Sequence, residues 1–197
     1  MKKMFILSIL FMSTGSMLWA QDYPDITKPA SNGYYNLSQL SFLIGKINYI
    51  GRPEHEMHPS VTNINGYRFN EHISMGIGVG MTVLSYAIFP VFADFRATLF
   101  KSNLSPVLAF KGGYSFVDKK KEMQGIFQES GANNKGGLMI NPEIGFKLPL
   151  MERADFMLTF GYWHQHLETE NKYNGNSYIS KVNFNQLSFT INFLFKL

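Results

Sequence analysis

The last twelve residues of the chain, Gln186–Leu197, read QLSFTINFLFKL, and their pattern decides the fold. Every second residue is bulky and apolar, and most of the residues between them are polar. Alternate side chains of a β-strand lie on opposite faces, so this pattern predicts a strand with one apolar and one polar face. The apolar face comprises Leu187, Phe189, Ile191, Phe193, Phe195 and Leu197.

Composition places the chain outside the usual range of soluble proteins. Only 16% of its 197 residues are charged, whereas soluble domains average about 25%. The chain has no cysteine, which excludes disulfides and thiolate chemistry. The formal net charge is +4, and Lys2 and Lys3 carry two of these charges in a segment that we expect to be removed. A nucleic-acid partner is therefore not expected.

Residues 1–20 have the layout of a secretory signal peptide. Lys2 and Lys3 precede the apolar run Met4–Met12, and Ala20 is the expected last residue removed. The alternative, an uncleaved membrane helix, is disfavoured because the run is too short to span a bilayer. Residues 21–197 are then predicted to form a single β-barrel domain.

Seven further segments share the alternation of the closing strand, at about 37–48, 61–69, 73–83, 89–100, 106–117, 137–148 and 154–166. Short links at 70–71, 101–103 and 149–153 alternate with long ones at 49–60, 118–135 and 167–181; only the link at 85–88 is short where a long one is expected. An even number of strands with turns on one rim and loops on the other is typical of a small membrane barrel. The sequence therefore predicts an all-β fold, an eight-stranded antiparallel up-and-down transmembrane β-barrel with both termini on the turn rim.

The two faces of the predicted strands indicate which side meets lipid. The interior of an eight-stranded barrel is just wide enough for side chains, and the apolar faces carry large residues in nearly every strand. The opposite faces mix glycines with long charged residues, which suits a crowded polar lumen but gives too few charges for a water-facing surface. We therefore expect the apolar faces to contact lipid and the charged side chains to lie over glycines such as Gly76, Gly78 and Gly80.

The chain resembles the small outer-membrane β-barrel proteins of Gram-negative bacteria over essentially all of residues 21–197. The closing strand carries the resemblance, with the stretch NGYRFNEHISMGIGVG at 65–80, which is similar to an internal hairpin of such barrels. The family ends in alternating hydrophobic residues that the barrel-assembly machinery reads, and it prefers an aromatic last residue, from which Leu197 departs. The resemblance implies a location in the cell outer membrane, contact with outer-membrane lipids and lipopolysaccharide, and a monomer. It also implies an assembly signal formed by Phe189, Ile191, Phe193, Phe195 and Leu197.

Inward-facing charges are the first candidate site. If the predicted faces are correct, a lumen charge network brings together Arg68, Asp94, Arg96, Lys111, Glu143 and Lys147. Such a set could form a polar conduit or a small-anion site, or it could simply fill the interior as ion pairs. In so narrow a barrel we expect the filled interior, and therefore no open pore.

Three further motifs could carry chemistry. HEMH (55–58) and WHQH (163–166) are predicted near the loop rim, where imidazole and carboxylate groups could bind zinc or copper, but the spacing matches no metal motif. DKKKE (118–122) could contact lipopolysaccharide phosphates, although a charge run is usually a solvated face. We predict no metal site and no cofactor.

An enzyme is the alternative class of function. A lipid-modifying barrel enzyme would need a joined Ser–His pair near the loop rim, and His164, His166, Ser177 and Ser180 supply the residue types without a recognised spacing. The sequence therefore predicts a non-enzymatic protein with a structural, surface-interaction or narrow transport role.

Overall fold

The computed structural model describes residues 32–49, 52–84, 87–100, 104–117, 133–173 and 176–197; within these ranges the side chains of 46–49, 52–55, 133–134, 169–173 and 176–180 are not described. The predicted signal peptide and the DKKKE motif lie outside the described residues. The described part of the chain contains no helix that is long and apolar enough to cross a membrane.

Nine strands make up the described fold: β1 (Gly33–Tyr49), β2 (Arg52–Arg68), β3 (Ile73–Val83), β4 (Ala87–Thr98), β5 (Ser105–Val117), β6 (Asn133–Lys135), β7 (Gly137–Met151), β8 (Ala154–Tyr173) and β9 (Asn176–Lys196). Among the described strands, the three-residue β6 pairs with β8 alone. The other eight strands pair with their neighbours in chain order, all antiparallel, and β9 closes the ring against β1. The predicted eight-stranded barrel is confirmed.

The register of the ladders gives the tilt of the strands. Paired residues can be followed once round the ring, from Gly33 through each strand in turn to Ser188 and back to β1 at Leu43. The path returns ten residues further along the same strand, so the barrel has eight strands and a shear of ten. Such a stagger tilts the strands by about 40° and leaves an interior that side chains can fill.

Two of the predicted long connections are wrong. The segments 49–60 and 167–181 belong largely to strands, because β1 and β2 are separated only by residues 50–51 and β8 and β9 only by residues 174–175. Beyond the lipid, outward side chains no longer need to be apolar, so the alternation ends while the backbone ladder continues. Of the third long connection, residues 118–132 lie outside the described part of the chain.

The short link between β2 and β3 is a tight turn, as predicted. The Asn70 side chain caps it, since its Oδ1 accepts hydrogen bonds from the backbone N–H groups of His72 and Ile73, both at 2.8 Å. Asparagine suits this position because its short side chain can replace a backbone acceptor. The start of β1 and the end of β9 meet at the same rim. There the backbone N–H of Leu197 donates to the Tyr34 carbonyl at 3.0 Å.

The apolar faces point outward, as predicted. Large apolar side chains along the strands are exposed, including Ile77 at 68% and Ile144 at 61%, whereas the residues between them are mostly buried. An extensive exposed apolar wall of this kind is stable only in lipid. Its other members include Val79, Phe95, Leu108, Phe110, Phe146, Phe160, Leu187 and Phe193.

Candidate functional site in the barrel lumen

Two ion pairs occupy the middle of the lumen. The Arg96 guanidinium donates from Nε to Asp94 Oδ2 at 2.7 Å and from Nη2 to Oδ1 at 3.1 Å. Lys111 Nζ donates to Glu143 Oε1 at 2.6 Å. All four side chains are buried, so each charge depends on its partner, because a charge taken out of water without one is strongly destabilising.

Neutral side chains complete the hydrogen bonding of Glu143. Its Oε2 accepts from the Thr159 hydroxyl at 2.9 Å, and its Oε1 also accepts from the Thr190 hydroxyl at 3.3 Å. The network continues through Asn192, whose amide nitrogen donates to Thr159 at 3.2 Å and whose Oδ1 accepts from Gln39. Contacts therefore run from β5 through β7, β8 and β9 to β1, so that this belt of buried polar side chains follows the inside of the barrel round five successive strands.

The other two predicted members of the network, Arg68 and Lys147, lie lower, near the turn rim. Both are half-buried, and Lys147 Nζ is 3.4 Å from the Thr98 hydroxyl. At the same rim is an ion pair that the sequence reasoning missed, in which Lys196 Nζ donates to Asp155 Oδ1 at 2.8 Å. The sequence pattern could have identified this pair, because Asp155 and Lys196 occupy inward positions in the alternation of their strands.

Apolar residues, and not only charges, fill the remaining lumen. A buried cluster joins Tyr35, Leu37, Leu43, Ile64, Phe92, Val107, Met139, Met157, Trp163 and Leu194, and a second one near the loop rim joins Leu84, Ile88 and Leu167. The predicted crowded polar lumen therefore also contains apolar layers, which the sequence analysis did not predict. Once the belt has paired its charges, apolar side chains fill the rest of a closed interior at lower cost than further polar groups.

Aromatic rings, more than charged side chains, lie over the inward glycines. The prediction was that charged side chains would lie there. A methyl group placed on Gly66 would lie 2.5 Å from the Tyr35 ring, and Gly78 is covered by the Phe92 ring. Among the described glycines, Gly161 alone fits the expectation, since a methyl group there would lie 2.7 Å from Glu143 Cγ. Glycine lacks a Cβ, so a flat ring can lie directly on the strand.

The described histidines of the two motifs, His58, His164 and His166, do not converge. His58 lies in strand β2 and not in a loop; it points into the lumen, is buried, and has Nε2 3.4 Å from Glu56 Oε2. His164 and His166 point outward from β8, with Nδ1 atoms 2.7 Å from Asn185 Oδ1 and 2.6 Å from Asn183 Oδ1. Within the described residues, no three or more histidine and carboxylate side chains are grouped so as to hold a metal ion.

The candidate Ser–His pair can be followed only in part. The described contacts of His164 and His166 are with asparagines and, for His166, with Glu168 at 3.7 Å. The side chains of Ser177 and Ser180 and that of His55 lie outside the described residues.

The closing strand is paired on both edges. Phe193 and Phe189 face Phe156 and Phe160 of β8 across the ladder, with ring centroids 5.4 Å and 5.1 Å apart. On the other edge, Phe189 faces Phe42 of β1. The residues of the predicted assembly signal thus lie on the outer wall, at the seam where the barrel closes.

A closed antiparallel barrel of eight tilted strands, with an apolar outer wall and a filled lumen, defines a transmembrane β-barrel of the outer-membrane type.

The fold is similar to that of the outer membrane protein OprG from Pseudomonas aeruginosa, with a TM-score of 0.54 and 12% identity over 87% of this chain and 99% of that one. It is also similar to outer membrane protein AlkL, with a TM-score of 0.58 and 12% identity over 90% and 97% of the two chains. Neisserial surface protein A is similar as well, with a TM-score of 0.56 and 13% identity over 84% of this chain and 97% of that one. No family model matches the sequence, and no curated protein matches it significantly. The lipid-facing wall and this fold together assign the chain to the outer membrane.

Proposed function

We propose that this protein is a non-enzymatic barrel of the outer membrane with a sealed lumen, acting as a structural or surface-interaction element and not as a pore. The belt of paired charges carries the proposal. Arg96 with Asp94, and Lys111 with Glu143, place four buried charged groups at the middle level of an interior that is only wide enough for side chains. An ion would have to separate these pairs in order to pass.

The layers above and below the belt support the same conclusion. Described inward side chains toward the loop rim, such as Ile88 and Gln165, and toward the turn rim, such as Val107 and Met157, are at most 1% exposed, so both layers are closed to bulk water. A general-diffusion pore requires a continuous water-filled path, which larger barrels provide.

A lipid-modifying enzyme remains the alternative, and the same protein preparation can test it. It would need a serine hydroxyl activated by a histidine at the loop rim. Purified protein mixed with phospholipid or lipopolysaccharide should release no fatty acid or headgroup. Release that is abolished by His164→Ala or His166→Ala would favour the enzyme.

The partners follow from the location. The outer wall would contact outer-membrane lipids, including lipopolysaccharide, and the closing strand would be the segment that the barrel-assembly machinery reads. The two ends of the described barrel, at Gly33 and Leu197, would then face the periplasm, because both lie at the turn rim.

A conductance measurement tests the sealed lumen. Purified protein in planar bilayers should give negligible steady current, with a general-diffusion porin as positive control and heat-modifiable migration as evidence of folding. The variant Asp94→Ala should be less stable but should also form no defined channel. Large, stable currents from the unmutated protein would contradict the proposal and indicate a porin.

A further inference from the structure

Four polar side chains lie on the lipid-facing wall, where apolar ones are expected. On β1, Asn36 and Ser38 alternate with the inward-facing Tyr35, Leu37 and Gln39. On β2, Asn63 and Asn65 alternate in the same way with Thr62 and Ile64. These four residues, Asn36, Ser38, Asn63 and Asn65, are called the amide cluster below.

The amide cluster lies within the apolar band and not at its edge. Asn36 pairs with Asn65 and Ser38 with Asn63 across the ladder. The next outward pair toward the turn rim is Tyr34 with Tyr67, whose rings are in edge contact at 5.1 Å. The next outward pair toward the loop rim is Leu40 with Val61. Apolar or aromatic residues therefore flank the cluster on both sides along the strands.

The cluster pairs most of its own polar atoms. Asn36 Nδ2 donates to Asn63 Oδ1 and Asn65 Oδ1, both at 2.9 Å, and Asn63 Nδ2 donates to Asn36 Oδ1 and the Ser38 hydroxyl, both at 3.1 Å. Asn65, the exposed member, donates to Asn63 Oδ1 at 3.2 Å. Its second N–H, and the hydroxyl hydrogen of Ser38, find no acceptor among the described residues.

Hydrocarbon chains cannot satisfy these remaining groups, and polar groups inside a membrane are costly unless another protein surface pairs with them. A carboxamide both donates and accepts, so a surface centred on Asn65 is complementary to an identical surface. Two copies inserted in the same orientation would be related by a two-fold axis along the membrane normal, which places the same patch of each copy against the other. Exposed Ile77, the cross-strand neighbour of Asn65, would pack at the rim of such a contact.

We propose that the amide cluster is the centre of an interface between two copies of this chain in the membrane. The sequence predicts a monomer, and the proposal departs from that prediction. Asn65 of one copy would donate its free N–H to the carbonyl oxygen of the partner subunit's Asn65, and the reverse bond would form by symmetry.

Cysteine cross-linking tests the interface cleanly, because the chain has no cysteine of its own. Ile77→Cys places a thiol beside Asn65, and Ile144→Cys is the matched control. Both positions are outward-facing isoleucines of similar exposure, 68% and 61%, but β7 lies on the opposite side of the barrel from β2. With a short bis-maleimide in phospholipid vesicles at low protein-to-lipid ratio, Ile77→Cys should give dimers and Ile144→Cys should not.

A second substitution tests the role of the amide. Asn65→Leu, added to Ile77→Cys, should lower the dimer yield roughly tenfold, the size expected for losing side-chain hydrogen bonds between proteins in a membrane. Asn65→Gln keeps the amide and should retain much of the yield. Each variant must migrate as a folded barrel, which we expect for Asn65→Leu because leucine suits a lipid-facing position.

Equal yields from Ile77→Cys and Ile144→Cys would mean random encounter and would overturn the proposal. An Asn65→Leu yield that matches the parent would show that the amide is not at the interface and would also overturn it. Cross-linking in whole outer membranes to a different protein, without homodimer, would assign the surface to another partner.

Discussion

Single residues in the lumen carry charges that are tolerable only in pairs. Asp94 and Arg96 are two residues apart on β4 and therefore share its inward face, and the same strand rule brings Lys111 and Glu143 together from β5 and β7. Removing one partner leaves the other charge buried without compensation. Removing both leaves only a gap, which costs much less.

Asp94→Ala should therefore lower the free energy of unfolding by about 3–5 kcal/mol, because it strands the Arg96 guanidinium. Urea unfolding of the barrel in lipid vesicles, followed by tryptophan fluorescence, measures the change. The double variant Asp94→Ala with Arg96→Met should recover part of the loss. A double variant as unstable as the single one would contradict the pairing.

Gly66→Ala should destabilise the barrel by about 1–3 kcal/mol through overpacking. Its new methyl group would meet the Tyr35 ring at 2.5 Å and the Met75 backbone carbonyl. Gly112→Ala is the matched control, because its methyl group would meet only the Phe110 ring, at an ordinary 3.4 Å. Unfolding measured under the same conditions should show a larger loss of stability for Gly66→Ala than for Gly112→Ala. Equal losses would mean that Tyr35 does not pack on Gly66.

At the level of strands, the sequence predicts the bounds of the segments that face lipid, but it does not predict the strand extensions beyond the lipid. The predicted bounds of the third strand, 73–83, agree with β3 because its outward residues are apolar throughout. The extensions of β1, β2, β8 and β9 carry polar residues such as His58, Glu168 and Lys181, so no periodicity reveals them. The lumen was predicted only in part for a similar reason. Charge marks Asp94 and Lys111, but Tyr35 and Trp163 read as ordinary strand residues until the ring closes around them.

The closing strand gives a prediction at this scale. Replacing Phe193 and Phe195 with Asp, or deleting residues 195–197, should block assembly, because acidic residues on the lipid face cost roughly a few kcal/mol each at depth. Protease added to intact cells and membranes should degrade these variant chains, because they are not assembled. Asn183→Asp is the control: it adds a charge to an outward position of the same strand, beyond the apolar positions, and should assemble normally. Normal assembly of the Phe193 and Phe195 variant would contradict a membrane strand here.

For the whole molecule, one physical requirement connects the apolar outer wall with the filled interior. A closed ring of eight strands satisfies every ladder hydrogen bond without an exposed edge, which is a condition for crossing hydrocarbon. The same closure fixes an interior so narrow that side chains fill it, and the register with a shear of ten brings the ion pairs of β4, β5 and β7 into its middle. The sealed lumen and the membrane location are therefore consequences of a single architecture.

Migration of the protein from fractionated membranes tests this architecture most directly. The mature chain should be recovered with the outer membrane and, on gels, should migrate faster without boiling than after boiling, because a closed barrel resists the detergent until it is heated. Recovery as a soluble periplasmic protein, with the same mobility before and after boiling, would contradict the account.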